Sequence, residues 1–158
     1  VIHWVGEPVL LYGHSAGSAG AIIAAARHPS LVRLLFLEAS YAHTHDALLS
    51  LYRWFNPVFG KLFGPVIVLW MVIVYRGATR TYSPARIAPQ ISMPVMIIHG
   101  EKDRRFPVSF AMTLKDCFAH RRVACYIARG AGHSGASQTP GFRPAVKSFI
   151  DTYLDDKR

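Results

Sequence analysis

The pentad Gly13-His14-Ser15-Ala16-Gly17 follows a short apolar run, Val9-Leu10-Leu11-Tyr12, and precedes an Ala-rich stretch that ends at His28-Pro29. The run before it has the length and continuity of a strand buried on both faces. The stretch after it has strong helix composition and stops where a proline disfavours helical backbone in the residue before it. A G-x-S-x-G pattern in that setting is a sharp strand-to-helix turn that lifts the serine out of a sheet, with both glycines permitting close packing at the turn. Leu31 to Leu37 is a second buried-strand run, so the opening reads strand, turn, helix, strand: a βαβ unit.

The same rhythm returns late in the chain. Pro94 to His99 reads as a third strand closed by Gly100. Pro107 to Phe118 reads as a helix with proline in its first turn. Val123 to Ala128 is a fourth strand and Gly130 to Gly135 a Gly-rich loop. Pro144 to Leu154 is a terminal helix with Val146, Phe149, Ile150, Tyr153 and Leu154 at helical spacing. This alternation predicts an α/β fold with a mostly parallel sheet and helices on both faces. Residues 41–90 interrupt it. Tyr41 to Phe63 is aromatic and irregular, Val66 to Tyr75 is wholly apolar, and Arg76 to Gln90 is basic with two prolines. The predicted organisation is therefore a core of residues 1–40 and 91–158 with a cap or lid inserted at 41–90. The first residues carry no Met start, basic leader or cleavage signal, and Val1 reads as the interior of a longer chain.

Composition sets the class. Hydrophobic residues make up 51% of the chain and charged ones 17%, which is globular rather than disordered. The net charge of +9 is scattered along the chain, at positions such as Arg27, Arg53, Arg86, Lys102 and Arg122, without the basic stripe and interleaved aromatics that nucleic-acid binding asks for. It reads as a solvated surface, and where it flanks the apolar segment 55–76 it offers peripheral contact with an anionic membrane. Val66 to Tyr75 is too short to span a bilayer, which takes about 20 apolar residues. Two cysteines, Cys117 and Cys125, are too few for a disulfide scaffold and read as buried thiols. The compartment is not fixed by these features, though a cytoplasmic or membrane-peripheral one fits them.

A serine hydroxyl becomes a useful nucleophile only when a base takes its proton. Ser15 therefore needs an imidazole and a carboxylate, which strand–elbow–helix hydrolases supply in the chain order Ser, acid, His. His133 lies in the Gly-rich loop after the fourth strand. The other histidines (His3, His14, His28, His43, His45, His99, His120) read as structural or surface groups. Asp103, in the loop after the third strand, is the first choice of acid. Glu101 in the same turn and Glu38 at the end of the second strand are its rivals. The N–H of Ala16, at the helix start, is placed to donate to an oxyanion. No cofactor is expected. His43-Thr44-His45-Asp46 lacks the spacing of a metal site, and no Gly-Lys-Ser/Thr follows the glycines to make a phosphate loop.

The segments GHSAG at 13–17, PVMIIHGEKD at 94–103 and GAGHS at 130–134 together resemble the α/β-hydrolase superfamily, in particular its monoacylglycerol-lipase and serine-aminopeptidase-like branch. The resemblance implies hydrolysis of an ester, thioester or amide through an acyl-enzyme. Ser15 would attack, His133 would shuttle the proton and Asp103 would orient His133. It places residues 41–90 at the family's variable cap, whose Trp54, Phe55, Phe59, Phe63 and Trp70 are the expected wall of an apolar acyl site. The expected substrate is thus a small ester with an apolar acyl group. Cofactor-free peroxidase chemistry uses the same three residues, and a non-catalytic remnant of a hydrolase is the rival from another class. The family also has four strands before the elbow, with a loop that gives a second oxyanion donor. That region is not in this sequence, and one lost donor costs about 10²–10³ in rate. The expectation is that these residues alone are inactive or poorly folded and leave the Val9–Tyr12 strand as an open edge.

Overall fold

Among the described residues the βαβ rhythm materialises as four strands, β1 (Val9–His14), β2 (Val32–Glu38), β3 (Val95–Gly100) and β4 (Val123–Ala128). A computed structural model describes residues 7–119 and 121–154; His3 and His120 lie outside them. All three pairings are parallel and the strand order is β1-β2-β3-β4. Consecutive parallel strands need crossovers. They are supplied by α1 (Ala16–Arg27) between β1 and β2, by residues 39–94 between β2 and β3, and by α7 (Val108–Asp116) between β3 and β4. Helix α8 (Phe142–Leu154) follows β4.

The strand period of two sorts the core into two layers. On one face Leu35, Leu37, Val95 and Ile97 pack with Ile22 and Ala25 of α1 and with Ala111 and Leu114 of α7. On the other, Leu34, Phe36, Met96 and Ile98 pack with Phe149 of α8 and with its flanking Ala145, Val146 and Ile150. Every residue of β3 is buried, as expected for a central strand covered on both sides. β1 is different. It sits at the sheet edge, and its Leu10 and Tyr12 are exposed on the face that α8 covers elsewhere. Cys117 and Cys125 are half-buried rather than sealed in the core, and burial pushes both thiols up.

Residues 44–87 form five helices: α2 (Thr44–Phe55), α3 (Pro57–Leu62), α4 (Gly64–Val74), α5 (Ala78–Thr81) and α6 (Pro84–Ile87). Asn56 ends α2 and caps α3, its side chain accepting from the N–H groups of Val58 and Phe59 at 3.0 Å, with Pro57 in the first turn of α3. The segment expected to be irregular between Tyr41 and Phe63 is thus mostly helical. Pro57 falls at the start of α3, and Gly64 and Pro65 at the start of α4, rather than inside a loop. Among the described residues no helix is long and apolar enough to cross a membrane.

Candidate active site

Three loops at the C-terminal end of the sheet bring the expected residues together. Ser15 is the turn residue between β1 and α1, held at φ 54° and ψ −122°. A non-glycine residue at positive φ is strained, and such strain persists only where the surroundings fix it. Here the Ser15 N–H donates to the Glu38 carbonyl at 2.9 Å. The Ser15 carbonyl accepts from the backbone and hydroxyl of Ser18 at 3.0 and 2.6 Å. Gly13 is needed for the turn: a Cβ there would lie 2.6 Å from the Gly17 carbonyl oxygen. Gly17 is not, since a Cβ on it would meet nothing within 4 Å. The expectation that both glycines serve close packing holds for Gly13 alone among the described residues.

Asp103 follows β3, and its carboxylate closes a tight loop by accepting from the N–H groups of Arg105 and Phe106 at 2.8 and 2.9 Å. Its second oxygen, Oδ2, lies 2.7 Å from His133 Nδ1. His133 Nε2 lies 2.9 Å from Ser15 Oγ. Because an ionised carboxylate only accepts, Nδ1 carries the proton and Nε2 is left as an acceptor facing the hydroxyl. Burial pushes the Asp103 carboxyl up, but the hydrogen bonds from His133, Phe106 and Arg105 and the charge of His133 outweigh it and hold the group below its ordinary range. The close approach of this loop to the His133 loop depends on Gly100, where a Cβ would lie 2.1 Å from the Gly132 carbonyl oxygen.

The rival acids are placed elsewhere. Glu101 accepts from the Gly130 N–H at 2.8 Å and so pins the start of the loop that carries His133. Glu38 is buried, takes a hydrogen bond from Tyr12 and another from the Ala136 N–H, and so pins that loop's far side. Burial raises its carboxyl above the ordinary value, opposed by the nearby His133. Two aromatic neighbours of His133 were not singled out from the sequence. His14 meets it edge-on with ring centres 5.4 Å apart, and its Nε2 donates to the His133 carbonyl at 3.3 Å. Phe106 meets it at 5.1 Å. His14 lies inside the pentad and was legible as a neighbour of Ser15, whereas nothing in the sequence marks Phe106.

Beside Ser15 opens a cavity of about 260 Å³ walled by Ala16, Tyr41, Thr44, Ala47, Leu48, Leu51, Arg105 and Phe106 together with Ser15 and His133. Ala16 is the first residue of α1, so its N–H has no acceptor within the helix and faces a site of positive helix dipole. The expected acyl wall is not the one found. Trp54 lies behind Arg105, whose guanidinium stands 4.1 Å over its ring. Phe55, Phe59, Phe63 and Trp70 are exposed and are not among the cavity's walls. The reason is that, of α2, α3 and α4, α2 alone lines the cavity, through Thr44, Ala47, Leu48 and Leu51, while α3 and α4 pack against α2. Among the described residues no group of three or more His, Cys, Asp or Glu side chains is arranged to hold a metal.

No family model and no curated protein matches the chain by sequence. Solved structures do match it. An α/β hydrolase from the metagenome of Mar Chica lagoon sediments, in Morocco, superposes with a TM-score of 0.66 at 20% identity, over 96% of this chain and 65% of its own. Mouse α/beta hydrolase domain-containing protein 10 gives 0.64 at 18% identity, over 96% and 64%. The monoacylglycerol lipase of Paleococcus ferrophilus gives 0.61 at 16%, over 95% and 71%. The chain thus spans roughly two thirds of the length of the structures it matches, and its fold is that of the α/β hydrolases.

Proposed function

We propose that the chain is the triad-bearing part of a serine hydrolase that cleaves a small carboxylic ester through an acyl-enzyme. The observation that carries this reading is the unbroken relay from Ser15 Oγ to His133 Nε2 at 2.9 Å and from His133 Nδ1 to Asp103 Oδ2 at 2.7 Å, opening on a largely apolar cavity. Ser15 Oγ attacks the ester carbonyl as its proton passes to His133 Nε2. Asp103 holds the imidazole in the required tautomer and stabilises the cation that forms. The oxyanion takes a hydrogen bond from the Ala16 N–H. His133 then gives its proton to the departing alcohol. Water, deprotonated by the same imidazole, releases the acid and restores Ser15.

A fluorophosphonate probe tests this, since it needs an activated serine and no knowledge of the substrate. Labelling at Ser15 is expected in the full chain and is expected to vanish in Ser15→Ala. Turnover of 4-nitrophenyl esters by whatever chain carries the activity should fall on the order of 10⁴–10⁶ in the same variant. A second reading is binding without turnover at a site that keeps the same three side chains. Absence of labelling with the fold intact would favour it over the hydrolase.

A further inference from the structure

Among the described residues Arg105 is the one Arg or Lys side chain in the walls of the cavity beside Ser15. Its backbone is fixed on both sides. The N–H donates to Asp103 Oδ1 at 2.8 Å, and the carbonyl accepts from Ser50 Oγ of α2 at 2.6 Å. Arg105 is therefore rooted on the carboxylate that also holds His133, at a constant place relative to the reacting hydroxyl. Its guanidinium carbon stands 4.1 Å over the centre of the Trp54 ring, a cation–π contact that holds the charge without consuming its N–H donors. Those donors have no carboxylate partner among the described residues. Among the described residues Arg105 takes part in no ion pair, and Asp103, the nearest acid in sequence, has both oxygens committed to His133 and to backbone N–H groups.

A half-buried cation with its fork free, beside an apolar cavity, is built to meet an anion that arrives with the ligand. Resting on the hydrolase reading above, we propose that Arg105 is the specificity-determining residue of this cavity: the ester carries a carboxylate or phosphate that pairs with the guanidinium, while its apolar stretch lies against Leu48, Leu51 and Tyr41. Trp54 acts through Arg105 as a positioning residue. The cavity volume of about 260 Å³ lies just below the range of roughly 300–1,000 Å³ typical of drug-sized ligands, which suits a short amphiphile better than a long acyl chain.

The test compares matched ester pairs: 4-nitrophenyl hydrogen glutarate against its methyl-capped neutral counterpart, and a terminal-phosphate ester against the corresponding terminal alcohol. The anionic member of at least one pair is expected to have a kcat/KM about tenfold higher, mainly through KM, and the pair that responds tells carboxylate from phosphate. Arg105→Gln should collapse the ratio to about one, Arg105→Lys should restore part of it, and Trp54→Ala should lower it without abolishing it. Added salt should erode it. A ratio near one in the wild type for both pairs, or a ratio that survives Arg105→Gln, overturns the proposal. Should Ser15-dependent turnover be missing altogether, the hydrolase reading fails on its own, and the proposal is judged by calorimetry on Ser15→Ala. Monomethyl glutarate or methyl phosphate should bind about tenfold tighter than dimethyl glutarate or methanol, and only while Arg105 is present. Equal binding overturns it there too.

Discussion

Strand β3 and helix α4 are both almost wholly apolar sequences, and they meet opposite fates. All six residues of β3 are buried. Of the eleven residues of α4 only Gly64 and Val68 are buried, while Val66, Leu69, Trp70, Ile73 and Val74 are exposed. The difference lies in what covers them. A central strand of a parallel sheet has two faces, and here α1 and α7 cover one and α8 the other. Helix α4 has one stripe against α2 and α3 and nothing among the described residues on its outer side. Together with Phe55, Val58 and Leu62 of the neighbouring helices, it displays far more apolar surface than single scattered residues would, and surfaces of that kind mark interaction sites. Exposed basic residues, Lys61 in α3 and Arg76 and Arg80 beyond α4, stand at its margins.

Cavity formation should separate the two regions most sharply. Ile97→Ala in β3 removes a fully buried side chain and is expected to cost about 2–5 kcal/mol. Leu69→Ala in α4 is expected to stay within about 0.5 kcal/mol. Urea denaturation of both variants checks this, and equal losses would mean that α4 is covered in solution. The next effect concerns the cover itself. A peripheral lipid contact predicts that the chain co-sediments with vesicles containing anionic lipid and less with neutral ones. Leu69→Glu with Trp70→Glu should cut that partition at least tenfold, given about 1.5–3 kcal/mol for each large side chain. Partition that ignores both lipid charge and the double substitution would remove α4 as a membrane contact.

The contrast also explains what could be read in the sequence. The strands, the elbow and the His133 and Asp103 loops were legible because parallel strands with two covered faces write continuous apolar runs, and the groups at their ends are punctuated by glycine. Apolar character was legible in residues 55–75 as well, but not its direction. Composition cannot say whether Phe59 or Trp70 turns toward Ser15 or away from it. That depends on α2 occupying the inner position, a tertiary fact set by the contact of Ala47 with Tyr41 and Phe106. The sequence ranked Asp103 first, and it is Asp103 that lies 2.7 Å from His133 Nδ1, but the parts played by its rivals were illegible for the same reason: that Glu101 and Glu38 pin the two sides of the His133 loop depends on the loop path.

The smallest expected effect is a difference in sign between two carboxyls that share one histidine. Asp103 is held below its ordinary value of 3.8. It stays ionised in the fold while the unfolded chain takes up a proton, so its contribution is complete above 3.8 and is lost as pH falls through the depressed value. Glu38 is raised above its ordinary 4.5, by burial first. From 4.5 upward the unfolded chain has released a proton that the fold retains, so stability falls as pH rises until the raised value is passed. Glu38→Gln keeps an oxygen for the Tyr12 hydroxyl and the Ala136 N–H but has no charge to bury. It should therefore be more stable than the wild type at pH 7 and lose that advantage near pH 4, whereas Asp103→Asn should be less stable at pH 7 with a gap that narrows on acidification. Urea midpoints from pH 3 to 8 read both. A Glu38→Gln chain weaker than the wild type at pH 7 would show that pairing with His133 and Ala136 outweighs burial, which would make Glu38 a second ionised partner of the imidazole alongside Asp103.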